Sequence, residues 1–154
     1  FCLAIEGVLK EWAWKGQGRV TFDEQNCDII VDGKSRQSHG KGIRAILHAA
    51  FIIGLLRYCK NDGMPHPRFV MLDSPLTTFK QKKDQAPTPI PGESKIDPGI
   101  EAAFWESIAT TPNDLQVIVF DNKEPPSSVT GRIAYTWFAG TEGAEGERKG
   151  FIPL

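Results

Sequence analysis

Cysteine is scarce in this chain: there are three, at positions 2, 27 and 59, with no CxxC pair and no metal-ligand spacing. An odd, scattered set argues against a disulfide framework or a cysteine-built zinc site, and a reducing cytoplasm is the expected setting. Long apolar runs are missing too. The longest, within Ile43–Leu56, is interrupted by Arg44 and His48 and reads as too short to span a bilayer. Charge of one sign is not in excess: 18 basic against 19 acidic residues give a net charge of -1. The chain as a whole is therefore no general polyanion binder, although a local basic patch is compatible with that balance. Phe1 is followed by no basic n-region or cleavage pattern, so no signal peptide is expected. The chain does not begin with Met and starts inside a helical pattern, which leads us to expect a piece of a longer protein. No internal repeat is visible.

What is present is enough for one domain or one lobe: 154 residues, 40% hydrophobic and 24% charged. Residues 1–14 carry Leu3, Val8, Leu9 and Trp12 at helical spacing, closed by Gly16-Gln17-Gly18. Arg19–Phe22 and Asp28–Val31 read as short strands, and Asp32-Gly33 as a turn. A long helix is predicted over about His39–Cys59, with Ser38 as its cap and Asn61-Asp62-Gly63 as its stop. Arg68–Leu72 is an apolar run of the kind found in strands buried on both faces. The irregular stretch Ser74–Ile96, with Lys80, Lys82 and Lys83, is expected to be a mobile loop. Asp97-Pro98 opens a second helix with Ile100, Phe104 and Ile108 inward, and Leu115–Phe120 is a further strand. Pro125-Pro126-Ser127-Ser128 reads as a turn, Arg132–Phe138 as a last strand, and residues 140–154 as a loose tail. The order implies an α/β fold with a parallel or mixed sheet flanked by helices.

Three constellations could carry chemistry. Ser38-His39-Gly40-Lys41-Gly42 begins the long helix, where unpaired N–H groups and the helix dipole favour an anion, and glycines let a phosphate approach the backbone. A plain capped helix start would use the same residues. Asp73 ends a buried strand, where open α/β sheets place ligands, and could hold Mg²⁺ beside nucleotide phosphates; the alternative is an acid that starts a turn before Pro75. Val117–Phe120 followed by Asp121 repeats that plan, with Glu124 close behind. Gly33-Lys34-Ser35 imitates the end of a P-loop, but Asp28 stands where that motif requires glycine, within a strand-like run.

In this order the pieces resemble the C-terminal half of ATPase heads of the structural-maintenance-of-chromosomes and DNA-repair ABC families. Ser38-His39-Gly40-Lys41 falls at the signature motif, Phe69–Asp73 at the Walker B strand and Leu115–Asp121 at the switch strand. Gly40–Ala45, Leu72–Leu76 and Asp121–Pro126 look closer to bacterial, defence-associated coiled-coil ATPases. The resemblance covers roughly Asp28 to Phe138, and makes residues 1–16 the end of a coiled coil. It implies ATP and Mg²⁺ as cofactors, with the chain's own N-terminal P-loop lobe and a second head in trans as partners. DNA is a candidate partner; a membrane is not. Asp73 would be the carboxylate on the Mg²⁺ side, and Ser38, His39, Gly40 and Lys41 would meet the phosphate in trans.

Three departures stand out. His39 replaces the first signature glycine, Ser74 stands where most of these families have the water-orienting glutamate, and Asp121 stands at the switch position. Asp121 is then the substitute candidate for catalysis beside Asp73. Without a P-loop, the chain alone is expected not to hydrolyse ATP. The rival readings are a degenerate head lobe that docks a partner or DNA, and a metal nuclease built on Asp73, Asp121 and Glu124.

Overall fold

The computed structural model describes residues 1–76, 96–140 and 147–150. Helix α1 (Cys2–Glu11) is followed by three antiparallel strands, β1 (Val20–Asp23), β2 (Asp28–Val31) and the two-residue β3 (Lys34–Ser35). A 3-10 turn at Arg36–Ser38 leads into α2 (Lys41–Asn61), then β4 (Phe69–Asp73). After it come α3 (Pro98–Ala109), β5 (Gln116–Phe120) and the single-turn α4 (Ser127–Thr130). The fold is mixed α/β. Instead of one sheet, the described residues form two small ones, the β1–β2–β3 meander and a parallel β4–β5 pair.

Local chemistry accounts for most boundaries. Asp32 and Gly33 both have positive φ, 50° and 76°, and join Val31 to Lys34 in a two-residue hairpin loop. Asp-Gly is the pair that tolerates such a turn, whose twist matches that of the strands. Asp97 caps α3 by accepting the Gly99 N–H at 2.8 Å, and Pro98 follows at a position where no helical N–H is needed. Ile100 and Phe104 are buried as expected, together with Trp105.

One hydrophobic cluster joins α1, α2, α3, β1, β2 and β4. Ile5, Val8 and Leu9 of α1, with Trp12 just after its end, pack with Ile46, Leu47, Ile53 and Leu56 of α2, and Phe104 meets Trp12 edge-on with ring centroids 5.0 Å apart. A polar bridge locks the three helices at one point. Arg57 donates to Glu11 at 2.7 Å and to Ser107 Oγ at 3.2 Å, and Ser107 donates to Glu11 at 3.0 Å. Ser107 is the buried polar residue among those described, and these partners satisfy it.

Four sequence expectations change. With 21 residues, α2 is long and apolar enough to cross a membrane, contrary to the reading of its apolar run as too short; here half of that stretch is buried inside the fold. Strand β4 is buried on one face only: Val70 and Leu72 point inward, whereas Phe69 and Met71 are 43% and 61% exposed. An apolar run does not by itself reveal what covers its second face. Residues 132–138 form no strand; Tyr135 and Trp137 are exposed, and the alternating pattern finds no neighbouring strand to pair with among the described residues. Ser127–Thr130, expected within or beside a turn, forms the helical turn α4. Residues 77–95, which include Lys80, Lys82 and Lys83, lie outside the described residues, as does most of the 140–154 tail.

Where α1 crosses α2, the helices touch at Gly54. A Cβ there would lie 2.6 Å from Ile5 Cγ1 and 3.1 Å from the Ile5 backbone. Alanine is ordinarily better than glycine inside a helix by about 1 kcal/mol. At Gly54 the sign should reverse: Gly54→Ala is expected to lower stability by about 1–3 kcal/mol, as overpacking does. Urea unfolding of the two forms would show it, and an unchanged or raised midpoint would contradict the close crossing.

Candidate functional site

Strands β4 and β5 run in register, with Asp73 opposite Phe120, so Asp73 and Asp121 emerge side by side at the C-terminal edge of the pair. The sequence expectation for these two acids is met. Ser74 carries the ladder one residue further, its N–H donating to the Phe120 carbonyl at 2.7 Å. It does so at φ 50°, although it is not glycine and precedes Pro75. Residues before proline favour extended backbone, so this is a strained position, of a kind that clusters at functional sites. Ser74 Oγ donates to Asp73 Oδ1 at 2.9 Å.

The two acids have different surroundings. Asp121 accepts the Leu76 N–H at 3.3 Å and the Lys123 N–H at 3.0 Å, tying the segments that follow β4 and β5 to each other. Its carboxylate is held in one orientation. Asp73 is exposed and faces a cleft of about 600 Å³ between β4 and the first half of α2. Met71, Leu72 and Pro75 line the strand side of that cleft; Lys41, Arg44 and His48, with Arg36 and Gln37 before them, line the helix side. Glu124 does not join a metal-binding group: among the described residues no three His, Cys, Asp or Glu side chains are placed to hold an ion together.

The signature-like residues separate. Lys41 opens α2 and lines the cleft with Asp73, while Ser38 and His39 are not part of its lining. Ser38 does not cap α2, contrary to the sequence expectation. It ends the 3-10 turn and its hydroxyl donates to the Ser35 carbonyl at 2.8 Å, while Gly40 takes the cap position with no side-chain bond. The intervening turn carries the hydroxyl away from the first N–H groups of α2. His39, in place of a glycine, packs edge-on against Trp14 at 6.5 Å between ring centroids. Trp14 in turn donates to Asp32 at 2.9 Å, and Asp32 accepts the Arg19 N–H at 3.0 Å. The loop ahead of α2 is thereby pinned to the α1–β1 junction.

Burial, followed by the nearby Lys34 charge, pushes the His39 imidazole below its ordinary pKa, against the opposing pull of the Lys34 backbone and of Asp32. Its Nε2 is buried without a hydrogen-bond partner. Burial, followed by the Arg36 charge, does the same to His48, with Asp28 opposing. Arg36 itself is engaged, with bonds of 2.7 and 2.8 Å to the two Asp28 oxygens. Sequence reasoning missed Arg36, Arg44 and His48 as site residues. For the last two a signal existed: Lys41, Arg44 and His48 fall three and four residues apart, a polar stripe along one flank of α2.

Comparisons with protein-family models, curated proteins and solved structures return no match.

Two measurements check this geometry. Asp121→Ala is expected to cost about 1–2 kcal/mol of stability, because two backbone donors lose their acceptor, and to speed hydrogen exchange at the Leu76 and Lys123 amides. Unchanged exchange at both would remove Asp121 as the tie between strand ends. For His39, a folded-state pKa below the unfolded value of 6.5 means that the fold favours the neutral ring. Its contribution is therefore complete above about pH 6.5 and lost as pH falls from there toward the folded pKa. The melting temperature should drop as pH falls below about 6.5, and less steeply in His39→Gln. Parallel slopes would show that His39 does not supply the dependence.

Proposed function

We propose that the chain is the C-terminal lobe of an ATP-binding and hydrolysing head of the structural-maintenance-of-chromosomes or DNA-repair ABC type. It would act in the cytoplasm in DNA-associated maintenance, repair or defence. The observation that supports this best is the pair of acids, Asp73 and Asp121, at the C-terminal ends of paired parallel strands, with Lys41 at the start of α2 lining a cleft beside Asp73. Parallel sheets are usually covered on both faces, and two strands alone are marginal. Phe69 and Phe120, exposed by 43% and 45% on the outer face of the β4–β5 pair, suit a missing lobe that adds strands and cover. An N-terminal P-loop lobe would do both.

The residues fit the cofactors this reading needs. Mg²⁺ retains several waters and takes only one or two carboxylates besides phosphate oxygens, so Asp73 without a three-carboxylate cluster suits it. Gly40 and Lys41 at the start of α2 would meet phosphate from the second head, with Ser38 and His39 in the turn just before them. Bound Mg²⁺ would supply charge neutralisation on the phosphates during transfer. Asp121 would orient the attacking water; the two amides it accepts fix its carboxylate, as a positioned base requires. Ser74 lacks the carboxylate for that task, and its strained backbone instead directs its hydroxyl to Asp73.

The same edge without turnover would make a degenerate head lobe that docks a partner or DNA. In the complete protein, Asp73→Asn is expected to abolish ATP hydrolysis; a protein with no ATPase activity to abolish would favour the docking reading. Ser38→Arg separates a phosphate contact from a structural residue. Ser38 is exposed and among the described residues its hydroxyl bonds only to the Ser35 carbonyl, so its loss should cost no more than about 1 kcal/mol. The expected result in a two-head protein with ATP is loss of dimerisation at an almost unchanged melting temperature. Normal dimerisation and hydrolysis would remove the signature assignment.

A further inference from the structure

Arginine is paired almost everywhere in this fold. Arg19, Arg36, Arg57, Arg68 and Arg132 each face a carboxylate within 4 Å, and Arg148 stacks over Phe138 at 5.2 Å. Arg44 is the exception. Among the described residues no carboxylate or ring holds its guanidinium, and it lines the 600 Å³ cleft between α2 and β4. Its side chain is exposed, so in the free chain water holds a fork of donors that no protein group engages, and phosphate oxygens match that fork in charge and geometry. Lys41 lies one turn before it on the same flank. Arg36 contributes little net charge, because Asp28 neutralises it.

We infer that this cleft binds the polyphosphate chain of a nucleotide within a single chain, with Arg44 as its principal cation and Asp73 facing the divalent cation that the chain carries. The volume exceeds what one phosphate needs and falls in the range of small-ligand sites. Met71, Ala45 and Ala49 give it apolar walls. Asp73 decides between a nucleotide and a nucleic-acid strand. A continuous phosphodiester track would press a phosphate against that carboxylate, whereas a polyphosphate chelates Mg²⁺ and presents positive charge to it. One chain suffices for this site, so it does not depend on engagement of a second head.

The test is isothermal titration of the 154-residue chain with inorganic triphosphate, with and without Mg²⁺. Saturable one-to-one binding is expected, weakened at least about tenfold in Arg44→Gln, as loss of a charge-assisted contact implies. Lys10→Gln removes an exposed cation that lines no part of the cleft and should change affinity less than about twofold. Asp73→Asn should weaken the Mg²⁺ complex but not the metal-free one. Far-UV circular dichroism and melting curves accompany each variant. If Arg44→Gln disturbs folding, Arg44→Lys, which keeps the charge and loses the fork, is expected to bind with intermediate affinity. No binding by the folded chain would overturn the inference. So would equal losses in Arg44→Gln and Lys10→Gln, equal losses for Asp73→Asn in both arms, or equally tight binding of a short single-stranded oligonucleotide. A head dimer indifferent to Ser38→Arg would end the two-head reading and leave this cleft standing. A chain that ignores triphosphate would do the reverse.

Discussion

The contact of α1 against Gly54 sets where everything else can lie. Because no side chain stands between them, the Ile5 backbone comes close to α2, and Val8 and Leu9 of α1, with Trp12 at its end, reach the Ile46–Leu56 stretch of α2. The opposite side of α2 is thereby turned to β4, and its first turns are delivered to the C-terminal end of that strand. The Glu11–Arg57–Ser107 bridge fixes α3 to the same pair of helices. Packing at one crossing point thus determines the spacing between Lys41 or Arg44 on one wall and Asp73 on the other. The backbone on both walls of the cleft is thus positioned by a close-packed core.

Much of this was legible in the residues, and the failures have identifiable causes. Asp97-Pro98, Asp32-Gly33 and the strand-then-acid pattern at Asp73 and Asp121 announce themselves because each rests on local backbone chemistry: a cap, a turn with positive φ, a chain leaving a sheet. What depends on a distant neighbour did not. Ser38 has the composition of a cap, but whether it serves as one depends on the Arg36–Ser38 turn that precedes α2. Arg132–Phe138 alternates like a strand, yet alternation says nothing about the presence of a partner ladder. Phe69 and Met71 read as core because apolar sequence does not distinguish a covered face from an open one. Arg44 and His48 look like mere interruptions of a helix stripe until β4 is seen across from them. The cleft is a tertiary object, and only its helix flank, at positions 41, 44 and 48, leaves a periodic trace.

The β4–β5 pair has a consequence for the handling of the chain. Among the described residues each of these strands has one hydrogen-bonding edge that no other strand occupies, and Phe69 and Phe120 stand on the outer face beside them. Parallel strands with open edges and an apolar face are templates on which further strands assemble. Adding basic or acidic residues elsewhere on the surface is therefore expected to do less to keep the chain dispersed than covering that one short ribbon.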